Sequence, residues 1–277
     1  MNEFLITNIS GIFIGIISAI IASYMYEKFQ QRRERKPLDD ILNFGRKESL
    51  IFVFPPRTDV TEIIKPGQHI DLHILPKTST EDFLAINNIK SALLQIHWEG
   101  KDSVRQPDTL KAADREKNIF CICSSKSNVF TGKVEELVIP LYDKIYRVRQ
   151  KGNTGEHEIW DGTSETASPT YEQAAGYLKD GISPNRLFAE NFVDYAYITK
   201  ITNPFNQLRN SKIFIIAGIR GIGTWGAAEC LKKNWKQIHN KLDPANKKSN
   251  FSALIKITYE NLDIIETKVE TVIPLPD

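Results

Sequence analysis

Three glycines stand where a buried strand would turn into a helix. In IFIIAGIRGIGTWGAAECLKKNW, Gly218, Gly221 and Gly223 follow an apolar β-branched run, Thr224 is placed to cap the helix after them, and Ala227 and Ala228 permit close packing. Glycine lets backbone N–H groups approach an anion, and a helix N-terminus adds a positive field, so this turn can cradle a phosphate. Arg220 lies inside the turn, and its guanidinium can pair with that phosphate. The spacing Gly-x-x-Gly-x-Gly is neither the dinucleotide order nor a P-loop, since no lysine follows the glycines. A tight turn that needs glycine only for its geometry remains the other reading.

A second strand-to-helix loop, CSSKSNVFTG, carries Ser124, Ser125, Lys126, Ser127 and Asn128, whose hydroxyls, amide and ammonium suit a polar ligand as well as they suit an ordinary loop. Asn203, in Asn203-Pro204-Phe205-Asn206, follows another predicted strand. Convergence of these three strand ends on one pocket is the expectation, although Asn-Pro also simply makes turns.

Catalytic chemistry is hard to find. The five histidines are scattered, no Ser-His-Asp, Cys-His or metal spacing stands out, and no metal, cofactor or catalytic residue is assigned. Glu156, Glu158, Asp161 and Glu165 cluster near a predicted hairpin and can either flank a sugar or sit as solvated charges. Cys121, Cys123 and Cys230 are expected as free buried thiols, because Cys-x-Cys alternates with apolar residues in a strand.

The elements that must position these residues are those of an α/β fold, in which short β-branched runs alternate with stretches of helical period. Strands are predicted at 49–54, 70–75, 118–123, 193–202 and 212–217. KIYRVRQ and EHEIWDG form a hairpin that projects from the main sheet, and 251–259 pairs with 262–273 to make the sheet mixed. Predicted helices cover 38–44, about 80–98 with Phe83, Ile86, Ile89, Leu93 and Leu94 inward, 131–137, a short piece from Ser168 to Gly181, and 224–242.

Before this domain stands Phe4 to Tyr26, 23 residues without charge. As a helix it is about 34 Å long, enough to cross a hydrocarbon core of about 30 Å. Lys28, Arg32, Arg33, Arg35 and Lys36 follow it and no Lys or Arg precedes it, so the expected topology is single-pass in the inner membrane, N-terminus outside and C-terminal domain cytoplasmic. Gly11, Gly15, Ala19 and Ser23 form one small-residue ridge along which a second copy can pack, making a homo-oligomer, or which merely reflects membrane-helix composition. Pro37 discourages further helix, dividing the chain into 1–36, anchor and basic neck, and 37–277, an α/β ligand-sensing domain. From Pro37 onward the chain holds 31 charges of each sign, and this neutrality argues against sequence-independent nucleic-acid binding; no direct DNA binding is expected.

A membrane helix, a basic neck and a strand followed by Gly221-x-Gly223-Thr224, with the SSKSN loop after NIFCIC, resemble membrane-anchored bacterial defence effectors. In that group a Rossmann-like domain of the CRISPR-associated Rossmann or SLOG type senses a nucleotide. The resemblance implies a cyclic-oligonucleotide or NAD-derived signal and helices that cluster to permeabilise or depolarise the inner membrane in antiviral defence. The competing readings are a membrane-tethered enzyme acting on nucleotides or nucleosides, and a scaffold for a cytoplasmic partner.

Overall fold

Strands made almost wholly of Ile, Val, Phe and Cys can be stable only where both faces are covered. Three of them, β1 (Leu50–Val53), β5 (Asn118–Ile122) and β10 (Lys212–Gly218), are buried at every position and run parallel at the heart of a seven-stranded sheet. The computed structural model describes residues 2–55, 57–62, 72–77, 79–150, 157–163, 165–166, 192–206, 211–260 and 263–276. The predicted helix from Ser168 to Gly181 lies outside them.

With β4 (Asp102–Arg105), β9 (Phe192–Thr202), β11 (Asn250–Glu260) and β12 (Asp263–Leu275), the sheet order is β12-β11-β9-β10-β5-β1-β4. The β4, β1, β5 and β10 half is parallel, and β9, β11 and β12 are joined to it antiparallel. The mixed α/β sheet read from the sequence is therefore present. Because side chains alternate across a strand, Phe52, Phe120 and Phe214 stack on one face, with centroids 5.5 and 4.7 Å apart. That face is covered by the last turn of α1 (Asn2–Leu42), α2 (Thr80–Gln95), α5 (Gly221–Lys233) and α6 (Trp235–Lys241). Ile51, Ile119, Ile213 and Ile215 point the other way, onto α4 (Val129–Val138). A single turn of helix, α3 (Ala112–Arg115), precedes β5, and β2 (Arg57–Glu62) pairs with β3 (Leu72–Lys77) as a separate ribbon.

Several expectations are corrected. The hairpin does not project: β6 (Arg147–Gln150), β7 (His157–Trp160) and β8 (Glu165–Thr166) form a three-stranded sheet whose Val148 and Ile159 pack into the second core, because that face needs a cover. Helix does not stop at Pro37. Proline removes one helical hydrogen bond, at about 3 kcal/mol or more, but Leu38, Ile41 and Leu42 beyond it are each at most 1% exposed, and each gives back about 1.5–3 kcal/mol. In α2, Ser79 caps the helix by accepting from the Asp82 amide at 3.1 Å, but Phe83 and Leu94 are exposed and Asp82 and Ala85 take the inward positions. The helix expected over 224–242 is two, divided at Asn234, whose side chain donates to Thr267 Oγ1 at 2.7 Å.

Cys121, Cys123 and Cys230 are free and buried, as their setting implied. Among the described residues no helix is long and apolar enough to cross a membrane. The side chains described in α1 begin at Ile17, so the run Phe4–Tyr26 lies largely outside them.

Candidate functional site

The chain leaves β5 for α4 on one face of the sheet and leaves β10 for α5 on the other. Adjacent strands whose connections part in this way open a crevice at their carboxyl ends. Here it is a hollow of about 260 Å³, lined by Cys123, Ser124, Lys126 and Ser127 from one loop and by Gly218 to Gly221 and Thr224 from the other. The two loops singled out in the sequence thus meet.

Their residues do not all face the hollow. Gly218 must be glycine, since a Cβ there would lie 2.4 Å from the Thr224 nitrogen and 2.5 Å from the Gly223 carbonyl carbon. Thr224 does not cap the helix. Arg220 holds the cap position, and Thr224, one turn in and 1% exposed, accepts the Gly218 amide through Oγ1 at 3.0 Å, latching strand to helix. Gly223 makes room for a carboxylate, because a Cβ would approach Asp194 Oδ2 to 2.6 Å.

Asp194, from the start of β9, therefore occupies the place expected for a ligand phosphate. One of its oxygens accepts the Tyr195 amide at 2.8 Å, and the carboxylate faces the Arg220 and Gly223 amides, with Oδ2 short of a well-formed hydrogen bond. Burial raises its pKa to about 6, against the Arg220 guanidinium and these amides, which pull it down. Arg220 in turn donates to the Tyr259 hydroxyl at 3.1 Å. The helix field is thus partly neutralised from within. An arriving anion would meet Arg220, Lys126 and the hydroxyls more than the bare helix end.

On the other loop, Asn128 is fully buried and structural. Its oxygen accepts the Phe130 and Thr131 amides, capping α4, and its Nδ2 donates to Val53 O at 3.1 Å and Ile122 O at 2.9 Å, tying three elements together. Ser125 bonds Glu135, a buried carboxyl that also accepts the Tyr197 hydroxyl at 2.7 Å; desolvation raises its pKa despite both bonds. Ser124 is buried, whereas Lys126 and Ser127 are exposed.

Asn203 is a correction. β9 runs opposite to β10, so the end of β9 lies at the far edge of the sheet. There the Asn203 amide donates to Arg115 O and Lys117 O at 2.7 and 2.9 Å, pinning the turn before β5. The expected convergence of three strand ends is one of two. Asp82 and Asp194, passed over in the sequence, stand at the crevice side instead. Cys123 takes φ of 75°, a left-handed conformation that a non-glycine residue adopts at some cost, and its thiol donates to Asp82 Oδ1 at 2.8 Å, leaving Asp82 Oδ2 buried without a partner. A carboxylate in an otherwise apolar helix face, and another in an apolar strand, were the available signals.

Among the described residues the acidic hairpin offers no open pair. Glu158 is bound by Arg149 Nε at 2.7 Å, beneath a guanidinium 4.3 Å from the Trp160 ring, and Asp161 accepts the Thr163 amide at 2.8 Å. Glu156 and the Glu165 side chain lie outside the described residues. Among the described residues no cluster of three His, Cys, Asp or Glu is placed to hold a metal ion. Along α1, Gly11, Gly15, Ala19 and Ser23 fall within continuous helix, which keeps their four-residue spacing on one side, and Ala19 and Ser23 are exposed. Comparison with known protein families, curated proteins and solved structures finds no match for this chain.

Proposed function

We propose that this chain is a membrane-anchored binding protein whose crevice takes a small phosphate-bearing, nucleotide-like ligand and whose N-terminal helices associate in response. The meeting of two loops carries the reading, since each brings a cation, Arg220 or Lys126, to one hollow beside the Ser124 and Ser127 hydroxyls. About 260 Å³ is somewhat below the usual range for ligand pockets. It suits a phosphate with its sugar better than a whole dinucleotide.

The anchor is the segment Phe4–Tyr26, in the inner membrane with the domain on the cytoplasmic side. Support comes from the described part of α1, where Ile17, Ile20, Ile21, Tyr24, Met25 and Phe29 are all more than half exposed. A helix apolar all round needs a covering. A bilayer supplies one, and the ridge of Gly11, Gly15, Ala19 and Ser23 is where a second copy would pack. Clustering of such helices would be the output, depolarising or permeabilising the membrane in a defence role. Calorimetric titration of the detergent-solubilised chain with mononucleotides, cyclic oligonucleotides and NAD-derived compounds tests the ligand claim. Binding that weakens about tenfold or more in Arg220→Ala is expected, on the loss of a charge-assisted contact; absence of binding by every compound overturns it.

A further inference from the structure

The structure draws basic side chains from distant parts of the chain onto the shoulder where α1 enters the domain. Two hollows flank the helix there, one of about 640 Å³ and one of about 440 Å³. Lys28, Arg32, Arg35 and Lys36 reach them from α1, Arg46 from the turn after it, and Lys232, Lys233 and Lys236 from the junction of α5 and α6. Against these eight cations the two linings hold only Glu34, Asp39 and Asp40. The domain is neutral as a whole, so this is a local concentration of charge created by folding.

Some of that charge is engaged. Lys36 pairs with Asp40 at 3.2 Å, Arg46 with Asp39 at 3.2 Å, and Glu229 serves both Lys232 and Lys233. Arg35 is bound to His97. Lys28 and Lys236 lie over aromatic rings, Tyr24 at 5.4 Å and Trp235 at 5.3 Å, and these contacts leave their full charge in place. The exposed Leu94 adds an apolar fringe beside the lysines, next to the largely buried Trp235. Cations beside aromatic and aliphatic side chains are the composition expected at a membrane interface.

Position agrees with composition. From Tyr26, the end of the apolar run, to Arg35 at the shoulder is nine residues, about 14 Å of helix. That is about twice the depth of a headgroup layer of roughly 5–7 Å, a gap that extended lysine and arginine side chains narrow, and under two Debye lengths. The carboxyl-end crevice lies at the opposite edge of the sheet, facing away.

We propose that this shoulder docks on anionic lipid headgroups, with Lys232, Lys233, Lys236 and Arg46 forming a second attachment besides the helix, so that the ligand crevice is held open to the cytoplasm. The inference rests on the anchored reading of α1. In the docked state phosphates fill the two hollows and α6 lies against the surface. In a neutral bilayer the same anchor holds the chain, but nothing draws α6 onto the surface, and its lysines stay open to solvent.

Full-length protein is reconstituted into vesicles of phosphatidylcholine alone or of phosphatidylcholine with phosphatidylglycerol, and amine labelling of Lys233 and Lys236 is read with amide exchange over 229–241. Co-flotation with the neutral vesicles tests the anchor by itself, and its failure would remove the anchored reading. Given co-flotation, labelling and exchange should fall several-fold in the anionic vesicles only and recover in high salt. Lys233→Glu with Lys236→Glu should abolish the protection while leaving flotation intact, since each basic residue near an anionic surface is worth about fivefold in partition. Equal labelling in both lipids overturns the proposal. Equal protection from inorganic phosphate added to neutral vesicles overturns it too, by making the hollows sites for soluble anions.

Discussion

At the edge where α1 joins the domain, Lys200 is fully buried and gives its ammonium to two backbone carbonyls, Ile41 at 2.9 Å and Lys248 at 2.7 Å. At the opposite edge Asp82 and Asp194, at most 1% exposed, each keep one oxygen without a hydrogen bond. The neck edge is a joint. Asn203, Asn206, Asn118 and Asn250 there direct their amides to carbonyls, hydroxyls or carboxylates of neighbouring segments, and the atoms left unmatched, Ser211 Oγ, Arg115 Nε and His239 Nε2, belong to a hydroxyl and two nitrogens, not to carboxylates. The crevice edge holds two buried aspartates, each with one unmatched oxygen, and a guanidinium shared between a tyrosine and a carboxylate; left-handed residues occur at both edges, Cys123 here and Asn43 and His97 at the neck. A buried carboxylate whose oxygens are incompletely matched is a cost that a fold tolerates where something else must bind.

The largest effect should come from breaking the joint. Lys200→Met removes two hydrogen bonds from a charged donor, one of them to the buried Ile41 carbonyl, and should lower stability by about 4 kcal/mol, at about 1.5–3 for each bond to a charged group, read as a shift in denaturant midpoint. Ligand affinity measured on the folded fraction should not change. If that variant lost binding and kept its stability, the division between the edges would be wrong.

Asp194 sharpens the comparison through pH. Its carboxyl has a folded pKa of about 6 against an ordinary 3.8, so between those values the folded state holds more protons than the unfolded one. The contribution of this group is therefore full below about pH 3.8 and is lost as pH rises through about 6. Asp194→Asn should remove that dependence. The stability difference between variant and wild type should change by about 3 kcal/mol from acid to neutral pH, at about 1.4 kcal/mol per pKa unit, measured by urea unfolding across the range.

Gly223→Ala comes next, at about 2 kcal/mol, because the new methyl must displace a buried carboxylate rather than the free end of a flexible chain. Thermal melts of variant and wild type read it, and pairing with Asp194→Asn should show strong coupling. Arg220→Lys should leave stability nearly unchanged while weakening ligand by about tenfold in titration, since a lysine keeps the charge but not the planar fork. Tyr259→Phe should be smallest, below about 1 kcal/mol for one hydroxyl contact at the rim, and its melt should hardly move.

Much of the fold was legible because burial on both faces leaves a plain mark. The runs LIFV, NIFCI and KIFIIAG had to be central strands, and each glycine turn or polar loop after them had to lie at a strand end. Polar edge strand β4 and strand β2 carried no such mark, while β3 falls on the stretch expected at 70–75. Strand direction was illegible too, which is why Asn203 was placed with the crevice when β9 carries it to the other edge. Pro37 misled for a related reason, since a local propensity cannot weigh the three side chains that the core takes up after it.

The sequence by itself determined an α/β sheet buried on both faces, the two loops that end its central strands, and an uncharged apolar run followed by a cluster of basic residues. Those are properties of neighbouring residues, and local periodicity and charge record them. Only the tertiary structure decided that Asp194 would stand at the glycine turn, that Lys200 would clasp the neck, and that lysines some two hundred residues from the neck would gather around it. Such meetings depend on which strands pair and in what direction, and that outcome is set by the whole core at once.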